Sequence, residues 1–283
     1  MGYYALFPGI KVIAPWRDPE FYNRFPGRSA LLEYAKERSI PVSQTPSKPW
    51  STDENLYHIS YEAGILEDPS VTPPKDMWKL TVDPQDAPET GDMIQIEFKS
   101  GIPVAVSFDG KTVTDPLDSF LLLNALGRKH GIGRIDIVEN RFIGIKSRGC
   151  YETPGGTILR AAHVDLEGLV LDREVRRLRD EFSQKLSEIL YNGFWFSAER
   201  EFIMAAVENS QKAVQGSVSL LLYKGNVIIK SRSSPLTLYD EKIASMDEAG
   251  GFNPSDSNGF IKIQSIRLMA YMAQKSILDR VSD

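Results

Sequence analysis

The stretch from Arg134 to Thr157, R-I-D-I-V-E-N-R-F-I-G-I-K-S-R-G-C-Y-E-T-P-G-G-T, constrains the fold of this chain more than any other. It has the apolar content of a strand pair, in Ile135, Ile137, Val138, Phe142, Ile143 and Ile145. It also carries Asp136, Glu139, Asn140, Arg141, Lys146, Arg148 and Glu152. A charge taken out of water needs an opposite charge or several hydrogen-bond donors, so an ordinary core strand does not hold so many. A solvent-facing hairpin has no need of so much Ile and Phe. A pocket wall around a small, multiply charged ligand accommodates both, and a mixed surface hairpin is the plainer alternative.

The remainder bounds the class. At 283 residues, 42% hydrophobic and 25% charged, the chain reads as an ordinary globular protein with room for one large domain or two smaller ones. A net charge of −5 argues against a nucleic-acid-binding surface and supplies no polybasic membrane stretch. The basic run Arg173 to Arg179 is flanked by acids on the same helix and reads as a solvated face. Cys150 is the single cysteine, so no internal disulfide or thiolate metal site is expected. Beside Arg148 its thiol pKa could be lowered, or it is simply a small passive residue. His58, His130 and His163 lack metal-ligand spacing. With no signal-like start and no apolar run of membrane-spanning length, the expected location is cytoplasmic.

Along the chain, Ile10 to Ala14 suits a buried parallel strand. Ser29 to Arg38 suits a helix with Ser29 near its N-cap, and Ile40-Pro41-Val42 suits a second strand. Two parallel strands cannot cover both their faces, so this unit is expected to expose apolar surface unless other chain covers it. Pro41 to Pro49 reads as a linker. Asp92 to Phe98 and Ile102 to Phe108 form a hairpin through Ser100-Gly101, and Asp115-Pro116 opens a helix to Arg128. A helix entered at Gly155-Gly156-Thr157 is expected to break near Gly168. Asp172 then caps a long one ending at Asn192-Gly193. A helix from Ser197 to Val214 precedes a hairpin turning at Lys224-Gly225-Asn226. The last helix, Ser265 to Arg280, presents Ile266, Met269, Ala273 and Ile277 on one face, which must pack on its own domain or on another subunit.

The words of the sequence carry more. K-V-I-A-P-W-R at Lys11, P-W-S-T-D-E-N-L-Y-H-I-S-Y-E-A-G-I-L-E at Pro49 and K-H-G-I-G-R-I-D at Lys129 occur in one order. The block from Ile135 to Thr157 and S-P-L-T-L-Y at Ser234 follow. Together they closely resemble the argininosuccinate synthase family, from about Lys11 to at least Phe260. The family's Ser-Gly-Gly-x-Asp-Thr-Ser loop, which cradles the pyrophosphate end of ATP, does not occur here, nor does its Gly-Asn-Asp-Gln-Val-Arg-Phe segment. The expectation is a chain without the N-terminal third of that enzyme.

The resemblance implies a fold mixing α/β and α+β parts. A remnant of a doubly wound nucleotide-binding sheet (residues 1–44) precedes an α+β synthetase domain (45–250) and a tail with an oligomerisation helix (251–283). It implies a ligase of arginine biosynthesis that joins citrulline and aspartate, cleaving ATP to AMP and pyrophosphate with magnesium as the co-substrate's ion. It further implies a homotetramer built through the C-terminal helix. Ser51, Ser60, Glu139 and Tyr151 stand at the family's citrulline-contacting positions. Glu139 would take the ammonium group, and the others the polar ends. No residue is implied as a chemical catalyst, a cofactor ligand or a metal ligand.

Plainer roles stay open at each position. Ser51 could be a helix N-cap with Glu54 closing a capping box, and Ser60 alone carries no signal. Glu139 could bridge to Arg141 or Arg134, and Tyr151 could be a core or interface aromatic. Pro154-Gly155-Gly156-Thr157 could hold an anion at a helix start or be a plain glycine-rich start. Three functional readings follow: a synthase seen without its catalytic half and inactive alone, one half of a split enzyme, or a non-catalytic assembly module.

Overall fold

The computed structural model describes residues 1–42, 50–245 and 253–281, in two units, Met1–Leu236 and Thr237–Asp283. The first unit opens with α1 (Gly2–Leu6), α2 (Pro19–Arg24) and α3 (Arg28–Glu37). Next come β1 (Ser51–Glu54), β2 (Ile59–Glu62), β3 (Asp92–Lys99), β4 (Ile102–Phe108), β5 (Lys111–Val113) and α4 (Pro116–Lys129). It continues with β6 (Arg134–Asn140), β7 (Lys146–Glu152), α5 (Pro154–Val170), α6 (Arg173–Tyr191), α7 (Ala198–Gln211), β8 (Gly216–Tyr223) and β9 (Asn226–Ser233). The second unit holds α8 (Glu241–Ala244) and α9 (Asp256–Val281).

Local chemistry accounts for most boundaries. Asp115 accepts from the Asp118 N–H at 3.0 Å with Pro116 at the first helical position, and Asp172 accepts from the Glu174 N–H at 2.9 Å. Ser197 caps α7 through the Arg200 N–H at 3.2 Å. Helix α5 runs through Gly168 to Val170, so the break expected near Gly168 falls three residues later, at Leu171. One mid-helix glycine costs only about 1 kcal/mol. That is less than the packing gained by burying Leu166 and Val170, which flank it.

Five antiparallel strands in the order β5-β4-β3-β8-β9 form the larger sheet. Ile94, Ile96 and Phe98 on β3 and Val218, Leu220 and Leu222 on β8 alternate inward, as period-two strands must. They bury against Leu123 and Leu126 of α4 and Ile158, Ala162 and Leu166 of α5. The four-stranded sheet, order β1-β2-β7-β6, is also antiparallel. On its inner face Ile59, Tyr61 and Cys150 pack with Trp50, Leu66 and Met77. Burial, with Asp136 adding to it, pushes the Cys150 thiol up to about 11, so the lowered pKa considered from sequence does not hold.

Among these apolar groups stands Glu152, fully buried. Its carboxylate accepts from the Tyr61 hydroxyl at 2.5 Å, the Thr81 hydroxyl at 2.6 Å and the Thr81 N–H at 2.8 Å. The Lys79 and Leu80 N–H groups add bonds at 3.0 and 3.1 Å. Burial, and then Glu152 itself, drive the Tyr61 phenol far above the usual tyrosine range, which keeps it a donor. Arg134 supports the same loop, donating to the Thr81 hydroxyl at 2.7 Å and the Thr81 carbonyl at 2.8 Å, over the Trp78 ring. Arg148 forms a two-pronged bond to Asp136 at 2.9 and 2.7 Å and reaches the Asp68 and Val71 carbonyls.

The N-terminal expectation needs correction. Helix α3 forms, capped from Gly27 rather than near Ser29, but residues 10–14 and 40–42 make no strand. A parallel strand exists only with a hydrogen-bonded neighbour, and the described residues provide none there. The apolar exposure expected of this segment is present: Ile13 is 80% exposed and Trp16 63%. The proposed linker from Pro41 to Pro49 lies mostly outside the described residues, as do the domain boundaries at 44 and 250.

The basic run on α6 also divides. Arg173 and Arg177 pair with Glu174 on the solvated side as expected. Arg179, however, turns inward against the fully buried Glu167, which also accepts from Gln211 at 2.9 Å. In the second unit, α9 buries none of its residues. No helix among the described residues is long and apolar enough to cross a membrane.

Replacing Glu152 by Gln leaves several buried donors without an anion, so it should cost at least about 2 kcal/mol of unfolding free energy. Urea denaturation at constant slope measures it, and a loss below about 0.5 kcal/mol, typical of a surface change, would refute the role.

Candidate functional site: the outer face of the four-stranded sheet

Side chains alternate along a strand, and paired residues share a face. With Ile59, Tyr61, Cys150 and Glu152 turned inward, the register puts Ser60, Glu62, Ser147, Gly149, Tyr151, Ile135, Ile137 and Glu139 on the opposite face. Ser51 on β1 pairs with Glu62 and joins them. All four residues singled out from sequence therefore lie on one face of one sheet, each partly exposed.

They are not equally close. Ser60 and Tyr151 are direct partners across β2 and β7. The Tyr151 hydroxyl donates to Glu139 on β6 at 2.9 Å. Ser51 stands on the far edge strand, three strand spacings or roughly 14 Å from β6. Its hydroxyl accepts from the Arg28 guanidinium of α3. This overturns the capping-box alternative, because Ser51 to Glu54 form a strand rather than a helix start. The bridges considered for Glu139 are not made either. Arg141 bonds Glu62 and Ser147, each at 3.2 Å, and Arg134 bonds Thr81.

Burial and then the Glu139 carboxylate push the Tyr151 phenol well above the ordinary tyrosine range. It therefore stays protonated through neutral pH and remains a donor to Glu139. That bond uses one carboxylate oxygen, so the other can accept from an incoming ammonium group. Ile135 and Ile137 give the face an apolar floor beside the anion, and both are exposed, so this is an open face rather than an enclosed pocket. His58 approaches Tyr151 with ring centroids 6.4 Å apart, its Nδ1 facing the Asn55 amide oxygen at 3.2 Å.

Other candidates resolve differently. At the glycine-rich start of α5, the Gly155 N–H donates to Asn124 at 2.9 Å, and Gly155 and Gly156 are buried against Asn124 and Tyr57. The plain structural reading holds there, since Gly155 lets α5 approach α4 and Gly156 leaves room for the Tyr57 ring. A cleft of about 960 Å³ between α5, α6 and α7 lies away from this face. Two of the three acids that line it, Glu167 and Asp180, are matched by Arg176 and Arg179, and Glu208 is the third. Sequence reasoning missed Gly149, which lies beneath the Tyr151 ring. Its spacing two residues before Tyr151 was the available signal, because such residues share a strand face.

With 11 tyrosines in the chain, Tyr151 is best followed as the difference between wild type and Tyr151→Phe. Ultraviolet titration should show no ionisation of it up to about pH 11, one unit above an ordinary phenol. Glu139→Gln should bring the transition down. A Tyr151 transition near pH 10 in both proteins would contradict the contact.

The family model described as "Arginosuccinate synthase C-terminal domain" matches residues 50–271, which include both sheets. The argininosuccinate synthase of Danio rerio is 56% identical over 267 residues, 94% of this chain and 64% of its own length. That of Schizosaccharomyces pombe is 58% identical over 270 residues, 95% of this chain and 66% of its own. The human protein of that name is 54% identical over 270 residues, with 95% and 66% covered. The chain thus spans about two thirds of the length of these relatives. On the extent and identity of these matches, the chain belongs to the argininosuccinate synthase family.

Proposed function

We propose that this chain supplies the citrulline-holding face of an argininosuccinate synthase, the ligase that joins citrulline to aspartate with cleavage of ATP to AMP and pyrophosphate. The observation that carries the reading is the Glu139–Tyr151 pair, a half-buried carboxylate with a fixed donor, beside Ser60 on one sheet face. Citrulline is a zwitterion on a long neutral arm. Its ammonium group requires an anion, and its carboxylate and ureido ends require donors. In this reading Glu139 takes the ammonium and Tyr151 orients the carboxylate of Glu139. Ser60 and Ser51 bond the other polar ends, and Ile135 and Ile137 line the methylene arm. These residues bind and orient; none transfers a proton or forms a bond. Proximity supplies the rate, by holding the ureido oxygen where ATP is presented.

ATP, with its magnesium ion, enters this reading as co-substrate and aspartate as second substrate. The Ser-Gly-Gly loop does not occur in these 283 residues, and no cluster of ligands suited to a metal is present among the described ones. No step of the ATP chemistry is assigned to the residues of this sheet. The chain on its own is expected to bind citrulline without releasing pyrophosphate.

Isothermal titration with citrulline tests the reading. Glu139→Gln should weaken binding about 10- to 100-fold, the loss expected for one hydrogen bond to a charged group. Equal affinity of the two proteins would remove Glu139 from the site. Steady pyrophosphate release by the purified chain with citrulline, aspartate and ATP would overturn the division of labour.

We also infer that α9 mediates homo-oligomer formation, consistent with a tetramer. Ile266, Met269 and Ile277 are each 60–63% exposed on a helix that buries none of its residues. The double substitution Ile266→Glu and Met269→Glu should reduce the light-scattering mass of the assembly. An unchanged mass would place the interface elsewhere.

A further inference from the structure

We propose that Gly149 is the positioning residue of this face: its bare Cα lets the Tyr151 ring lie back along β7 and bring its hydroxyl to Glu139. Three observations carry this. Gly149 and Tyr151 are two apart on β7 and therefore share the outer face. A Cβ built on Gly149 would stand 2.7 Å from both Cε2 and Cζ of the Tyr151 ring and would collide with its hydroxyl as well. That hydroxyl, held over Gly149, makes the 2.9 Å bond to Glu139 on the neighbouring strand.

The register explains why only this arrangement serves. Glu139 lies opposite Ser147, four residues back along β7 from Tyr151. A tyrosine standing upright from the sheet cannot reach that far; it must lie along its own strand and cross the intervening position. A methyl group there leaves no room for a rigid ring, which then rotates away from Glu139. Gly149 is not among the glycines with positive φ, so the backbone itself accepts alanine. The glycine is required by the ring above it rather than by the chain path, and no other atoms meet its Cβ as closely.

The consequence for affinity rests on the citrulline reading above. Without the Tyr151 hydroxyl, Glu139 is free to swing on an edge strand, and its carboxylate is no longer pre-aimed at an ammonium group. Gly149 touches no substrate in this scheme and acts only through Tyr151.

The test compares Gly149→Ala with wild type in the full chain, using two readouts. In the titration of Tyr151, Gly149→Ala should lower the phenol's transition as Glu139→Gln does. Citrulline affinity should fall about tenfold or more, and this loss should vanish when Gly149→Ala is made in a Tyr151→Phe background that already lacks the hydroxyl. An unchanged Tyr151 titration overturns the proposal. If wild type fails to bind citrulline, the ligand assignment falls while the titration still decides the role of Gly149. Should Gly149→Ala fold poorly, Gly149→Ala with Tyr151→Ala should be as stable as Tyr151→Ala alone. Equal destabilisation in both backgrounds would mean that the glycine serves the backbone, and the proposal would be wrong.

Discussion

Taking a carboxylate out of water costs several kcal/mol unless donors replace its hydration, and the four-stranded sheet is organised around one such group. Glu152 is fully buried and ringed by two hydroxyls and the successive N–H groups of residues 79 to 81. Those donors come from β2 and from the loop at residues 79 to 81 that folds over the sheet. The loop brings Trp78 and Leu80 onto the small core of Ile59, Tyr61 and Met77. The anion thus gathers the apolar cover that makes its own burial possible.

This anchoring decides the other face. Strand side chains alternate, so turning Glu152, Cys150 and Arg148 toward loops and core turns Tyr151, Gly149 and Ser147 toward the site. A slip of one residue would bury Tyr151 with Gly149 and expose Glu152. The donors on Thr81 and Tyr61 oppose that slip, and so does the Arg148–Asp136 pair. The charges that looked excessive for a strand pair are therefore divided by face. One set fixes register and the loops at residues 68–71 and 79–81, and the other forms the candidate binding surface.

Much of this was legible beforehand. Caps at Asp115 and Asp172, the helix start near Ser197 and the tight turn at Lys224-Gly225 are local chemistry, and each element appears where that chemistry put it. The candidate site residues could be named only through resemblance, since Ser60 has no local signal at all. What misled were elements whose stability is not local. Residues 10–14 have strand composition but no neighbour to pair with, and Ser51 has cap composition but is claimed by β2. Arg179 sits in a run that reads as solvated, yet it turns into the cleft between α5, α6 and α7 and pairs with the buried Glu167 of α5.

By itself the sequence determined the family, the longer helices with the caps at Asp115 and Asp172, the hairpins, and the need for buried charges between Arg134 and Thr157 to find partners. Each of these depends on neighbours within a few residues or on the order of whole motifs. Tertiary structure alone decided which partner each charge took: Glu152 the loop amides, Arg148 Asp136, and Glu139 the Tyr151 hydroxyl. Those choices depend on strand register and on which face the core claims, and both are set by burial across residues far apart in the chain. For the same reason Gly149 has a role only once the Tyr151 ring lies over it.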